Sequence, residues 1–120
     1  MKWIGVELDG TLATFDRWRG VRHIGQPIAP MVERIKQWLA HGAEVRIFTA
    51  RITGQSKFEA LVAVEMIRMW LDKAGLPPLL VTNSTDFEME ELWTTKARDP
   101  GSVFDVYKTM SKDNATVVRQ

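Results

Sequence analysis

The sequence predicts an α/β protein built on a mainly parallel sheet. Three observations carry this: short strand-like runs at residues 3–8, 44–48 and 79–81, the first mostly apolar; stretches of helical spacing between them; and a glycine closing each helix before the next strand. Strand, helix, strand, helix, strand implies right-handed crossovers on a parallel sheet.

Trp3-Ile4-Gly5-Val6-Glu7-Leu8 reads as a buried strand ended by the turn Asp9-Gly10-Thr11. Residues 14–28 read as irregular, with Arg17, Arg19, Arg22 and His23 around Trp18. A solvated loop and a binding loop over the strand end both fit this composition. Pro30 suits a first helical turn, Met31, Val32, Ile35, Trp38 and Leu39 repeat at helical spacing, and Gly42 closes the helix. Glu44 to Phe48 is the second strand, ending at Thr49-Ala50-Arg51. Ser56-Lys57-Phe58-Glu59 has capping-box spacing and starts a long helix. Its buried face is expected at Phe58, Leu61, Val62, Met66, Met69 and Trp70, and Gly75 ends it. Leu79-Leu80-Val81 follows Pro77-Pro78 as a third strand, ending at Thr82-Asn83. Beyond residue 84, Glu88 to Leu92 reads as a helical turn, and 102–107 and 115–118 as strands.

A length of 120 residues suits one domain over the whole chain, and an apolar share of 45% excludes a disordered composition. With no cysteine, disulfides, thiol nucleophiles and thiolate metal sites are excluded. No run approaches the ~18 apolar residues of a membrane span, and Met1-Lys2-Trp3 leads straight into a strand. The expectation is a cytoplasmic protein with no signal peptide and no membrane partner. A net charge of +1 gives no global field for nucleic acid. Arg17, Trp18, Arg19 and Arg22 form a small basic-aromatic patch, suited to an acidic protein surface. His23 and His41 stand in no metal-ligand spacing.

In an open parallel sheet, ligands bind beyond the carboxyl ends of the strands. Those ends offer Glu7, Asp9 and Thr11; Thr49 and Arg51; Thr82 and Asn83. Glu7 and Asp9, two residues apart, suit a hard cation such as Mg²⁺, and Gly10 and Thr11 can offer backbone N–H groups to an oxyanion. The alternative is a turn whose acidic side chains cap nearby N–H groups.

Glu7-Leu8-Asp9-Gly10-Thr11 resembles the Asp-x-Asp-Gly-Thr signature of the haloacid dehalogenase (HAD) superfamily, placed as there at the end of the first strand. Arg46-Ile47-Phe48-Thr49-Ala50-Arg51 resembles that family's second motif, a strand ending in a phosphate-binding Thr or Ser. The frame through Val81-Thr82-Asn83 and Glu91-Leu92-Trp93 is similar to small, cap-less phage and prophage HAD proteins. The likeness covers about residues 1–98, leaving 99–120 as a divergent C-terminal segment. It implies a three-layer, Rossmann-like core without a cap domain. It also implies Mg²⁺-dependent phosphatase chemistry, with Glu7 at the nucleophile station, Asp9 at the acid/base station, and Thr49 with Gly10, Thr11, Arg51 and Asn83 around the phosphate. Asp86 is a candidate third metal ligand.

Three positions depart from the pattern. Glu7 is longer than aspartate, which displaces its oxygen by about 1 Å, and a misplacement of that order costs ~100-fold in rate. Thr85-Asp86 stands where related sequences carry a lysine before an aspartate, and Thr94-Thr95 where an acidic pair is expected. Lys57 or Lys96 could replace the cation, and Asp86, Glu90 or Asp99 the metal ligand. The expectation is a HAD-like pseudoenzyme that binds a host or bacterial protein, for instance as a phage-type, anti-CRISPR-like inhibitor in the host cytoplasm. The alternative is a Mg²⁺-dependent phosphomonoesterase acting on a small or nucleic-acid-terminal phosphate. A homodimer also fits, since a cap-less core leaves its crevice uncovered.

Overall fold

The structure, a computed structural model, describes residues 2–95, 104–111 and 114–118. The strands are β1 (Trp3–Glu7), β2 (Glu44–Phe48), β3 (Leu80–Thr82), β4 (Met89–Thr95), β5 (Phe104–Ser111) and β6 (Asn114–Val118). Helices α1 (Ala29–Ala40) and α2 (Lys57–Lys73) join β1 to β2 and β2 to β3, with a 3-10 helix at Ala50–Ile52 between β2 and α2. The sheet order is β3-β2-β1-β4-β5-β6. The first four strands are mutually parallel, and β5 and β6 add antiparallel to β4.

Local chemistry explains the elements. Pro30 sits in the first turn of α1, where its missing N–H is not needed. Ser56 and Glu59 form the expected capping box on α2. Gly42 and Gly75, after the two helices, take φ of 84° and 85°, which a Cβ would disfavour.

Alternation along β1 and β2 sends Ile4, Val6, Val45 and Ile47 to one face. There they join Met31, Val32 and Ile35 of α1 and Ile67 and Leu71 of α2 in a single core. Trp93 of β4 closes that core, edge-on to Trp38 with ring centroids 5.2 Å apart. Both described α-helices therefore cover the same face. The other face carries Trp3, Gly5, Glu7, Arg46 and Thr94. The segment 83–88 crosses it from β3 to β4, with Asp86 bonded to Trp3 and close to Arg46.

Two sequence expectations are corrected. Residues 88–92 are not a helical turn: Met89–Thr95 is a strand, because the second edge of β1 takes its hydrogen bonds from it. The buried face of α2 is Ala63, Ile67 and Leu71, whereas Phe58, Leu61 and Met69 are 75%, 63% and 43% exposed. The helix carries two apolar stripes, and the one with the small Ala63 approaches the sheet. No helix among the described residues is long and apolar enough to cross a membrane.

Candidate functional site

The strand order places the switch in chain direction between β1 and β4, and the acidic turn follows β1 at that point. The register Val6 to Trp93 brings the next residues, Glu7 and Thr94, side by side. The Thr94 hydroxyl donates to Glu7 Oε1 at 2.7 Å. Thr94, where the resemblance implied a carboxylate, thus offers Glu7 a proton donor.

The turn after β1 is closed on itself. Gly10 N–H donates to the Ala13 carbonyl at 2.8 Å and Thr11 N–H to the Leu8 carbonyl at 3.4 Å. Leu12 and Ala13 N–H groups also return to Leu8, at 3.1 and 2.9 Å. The N–H groups of Gly10 and Thr11 are therefore spent within the turn rather than offered to an oxyanion. Thr11 is fully buried and its Oγ1 has no hydrogen-bond partner. The Thr49 hydroxyl accepts from Arg51 N–H at 3.1 Å, capping the 3-10 helix.

Arg51 dominates the site. Its Nε and Nη2 each donate to one Asp9 oxygen at 2.8 Å, a two-pronged pair that fixes the carboxylate plane. Nη2 also reaches the His23 carbonyl at 3.0 Å and Nη1 the Val21 carbonyl at 3.4 Å. The Trp18 ring lies 4.8 Å from the guanidinium carbon. The Arg51 side chain is only 4% exposed. One cation therefore neutralises Asp9 and fastens residues 18–23 over the sheet end. Beside it opens a cavity of about 390 Å³ lined by Asp9, Phe15, Trp18, Ala50, Arg51 and Gln55.

The remaining candidates disperse. Asn83 donates to Thr53 Oγ1 at 3.1 Å. Asp86 accepts from Trp3 Nε1 at 2.9 Å and faces Arg46, at the amino end of the sheet rather than beside Glu7. Lys57 begins α2, and Lys96 and Asp99 lie outside the described residues. Among the described residues, no group of three or more acidic, His or Cys side chains could hold a metal ion. The donor set does not fit Mg²⁺: both Asp9 oxygens face a guanidinium and Glu7 faces a hydroxyl proton.

The basic-aromatic patch is divided. Trp18 stacks on Arg51, and Arg22 reaches Met66 Sδ on α2 at 4.0 Å. Arg17 donates only its backbone N–H, to Asp16. Arg19 grips Asp16 through two nitrogens, which lowers the Asp16 carboxyl from 3.8 to about 2. A depressed carboxylate contributes above its ordinary pKa and loses that contribution as pH falls through the folded value. The Asp16–Arg19 contact is therefore expected to persist above pH 4 and to be lost between about 4 and 2. An NMR titration of the Asp16 carboxyl should show this low midpoint, and Arg19→Gln should return it to near 3.8.

Sequence reasoning missed what holds Arg51. The carbonyls of Val21 and His23 carry no side-chain signal, and an arginine after a strand-end threonine reads equally as a phosphate ligand. Fold and site together define an α/β protein whose acidic strand-end turn is occupied by its own arginine. No family model, curated protein or solved structure matches the chain.

Proposed function

We propose that this chain is a HAD-type core that no longer transfers phosphoryl groups and works by binding another protein. The observation that carries the reading is the two-pronged Arg51–Asp9 pair. An acid/base group must exchange protons with a leaving group and with water, and a carboxylate held on both oxygens by a buried guanidinium is poorly placed for either. Glu7 engaged by Thr94, and turn N–H groups turned inward, support the same reading.

The family resemblance supplies the HAD assignment, and the parallel β3-β2-β1-β4 order is compatible with it. The three-layer form belongs to this proposal, since the described helices make one layer. Exposed Trp18, Phe58 and Leu61 favour a protein partner, and an inhibitor of phage type acting on a bacterial protein is the class the resemblance suggests.

The test is hydrolysis of a generic aryl phosphate with saturating Mg²⁺, using wild type, Glu7→Asp and Asp9→Asn. All three are expected at the no-protein baseline, because restoring the shorter carboxylate leaves Asp9 paired and Thr94 in place. Turnover by wild type that rises in Glu7→Asp and vanishes in Asp9→Asn would overturn the proposal in favour of a working phosphomonoesterase.

A further inference from the structure

Residues 21–25 lie along α2, and two hollows open between loop and helix. One, of about 220 Å³, is lined by Ile24, Met66, Met69 and Trp70 together with two cations, Arg22 and Lys73. The other, of about 180 Å³, lies between Val21 and the Phe58–Val62 turn of α2. Arg22 lines both and so stands between them. The loop wall is fixed in advance. Trp70 Nε1 donates to the Gly25 carbonyl at 2.8 Å, and Gly25 packs so closely on Thr14 that no Cβ would fit there. A wall already held in place lowers the ordering cost of binding.

The charge of the groove is one-sided. No acid lines the larger hollow, and neither Arg22 nor Lys73 has an ion-pair partner among the described residues. The Arg22 guanidinium meets only the Met66 thioether, a weak acceptor, at 4.0 Å. The nearest acids of α2 are engaged elsewhere. Glu65 is gripped by two nitrogens of Arg68, which projects from the side of the helix away from Met66. Glu59, which lines the smaller hollow, turns back to the Ser56 N–H in the capping box.

We infer that this groove takes an extended segment of a partner protein in which an acidic residue stands between two large apolar ones, two residues from each. The apolar side chains enter the two hollows and the carboxylate meets Arg22 between them. Three features select this occupant. Each hollow is smaller than the roughly 300–1,000 Å³ of small-molecule sites, which suits a single side chain. The α2 residues of the two hollows are centred about ten residues apart, or ~15 Å along the helix. An extended chain covers ~13 Å in four residues, and its period of two sets the acid and both apolar residues on one face. Methionine walls adapt to apolar side chains of different shape. The inference rests on the reading that this chain works by binding another protein and supplies the chemistry of the bound segment; it does not rest on the loss of hydrolysis.

Fluorescence anisotropy with a panel of short labelled peptides tests it. Each has a central glutamate, serine spacers, and leucine, methionine, phenylalanine or tryptophan two residues to either side. The tightest-binding member is expected to lose about tenfold in affinity when its glutamate becomes glutamine, the usual scale for one charge-assisted contact, and more when it becomes lysine. Arg22→Glu should reverse that order, so that the lysine form binds better than the glutamate form. Arg22 and Met69 are both exposed, so Arg22→Glu and Met69→Glu should keep the far-ultraviolet circular dichroism of wild type. Met69→Glu should weaken every member by placing a charge in the apolar wall. A panel whose glutamate forms bind no better than their glutamine forms overturns the inference. So does a preference that survives Arg22→Glu, or binding of decanoate with none of the peptides bound, which would put a small amphiphile in the hollow. These results leave the hydrolysis comparison untouched, and turnover by wild type would overturn the reading of a lost phosphatase without altering the peptide preference.

Discussion

Arg51→Met is expected to lower folding stability by about 3 kcal/mol, read from urea unfolding followed by tryptophan fluorescence. Methionine keeps most of the stem's packing, so the loss reports the guanidinium. Breaking a buried ion pair typically costs ~3–5 kcal/mol, largely because the surviving charge is left without compensation. The Asp9 side chain is 22% exposed and can recruit water, which places the value at the lower end. The change also strands the Val21 and His23 carbonyls and removes the surface on which Trp18 stacks. Native fluorescence should therefore shift toward that of a solvated indole even where the variant is fully folded. Combining Arg51→Met with Asp9→Asn should cost less than the two single changes added together, since the second removes the charge the first strands. A cost below about 1 kcal/mol for Arg51→Met, with unchanged fluorescence, would mean that the guanidinium does not hold residues 18–23. Freeing Asp9 in this way is not expected to restore hydrolysis, because Glu7 still meets Thr94.

Several elements could be read from the chain because short-range chemistry determines them. The strand at 3–7 is a mostly apolar run and that at 44–48 an alternating one, each stopped by turn residues, and the start of α2 is a reciprocal pair of hydrogen bonds four residues wide. The neighbourhood of Glu7 and Thr94 could not be read from the chain, because it depends on the parallel pairing of β1 with β4, two segments more than eighty residues apart. The failures came where two local patterns were equally good and tertiary contact chose between them. In α2, the stripe through Phe58 and Met69 has better hydrophobic residues, but the stripe through Ala63 can come closer to the sheet. In β4, Glu88 to Leu92 has the composition of a helical turn, and only the unpaired edge of β1 makes it a strand. Arg51 was legible as a site residue and illegible as a lock, because two of its four acceptors are main-chain carbonyls from a loop without regular structure.

Trp3→Ala is expected to destabilise the fold by about 4 kcal/mol, within the usual range for truncating a buried tryptophan. Trp3 is 1% exposed although it lies on the face without a described helix. What covers it is the connection 83–88, which must cross β2 and β1 to reach β4. Asp86 ties that connection down: it accepts from Trp3 Nε1 at 2.9 Å and from the backbone N–H groups of Glu88 and Met89 at 2.8 and 3.1 Å. Trp3 N–H adds a bond to the Glu88 carbonyl, and Arg46 lies 4.4 Å from the indole centre. Gly5 makes room for the ring, since a Cβ there would come within 3.1 Å of Trp3 Cζ3. Removing the indole therefore loses core area and loosens the crossover at once. Trp3→Phe separates the two, keeping an aromatic body while deleting the bond to Asp86. Its cost should fall to about 1–2 kcal/mol, because Asp86 retains its two backbone donors. Equal losses for the two variants in urea unfolding would place the stabilisation in the single hydrogen bond rather than in the buried ring. Thr94 is six residues from the crossover's end at Glu88 and reaches Glu7 only if β4 keeps its register, so Trp3→Ala should also loosen the Thr94–Glu7 contact from a distance.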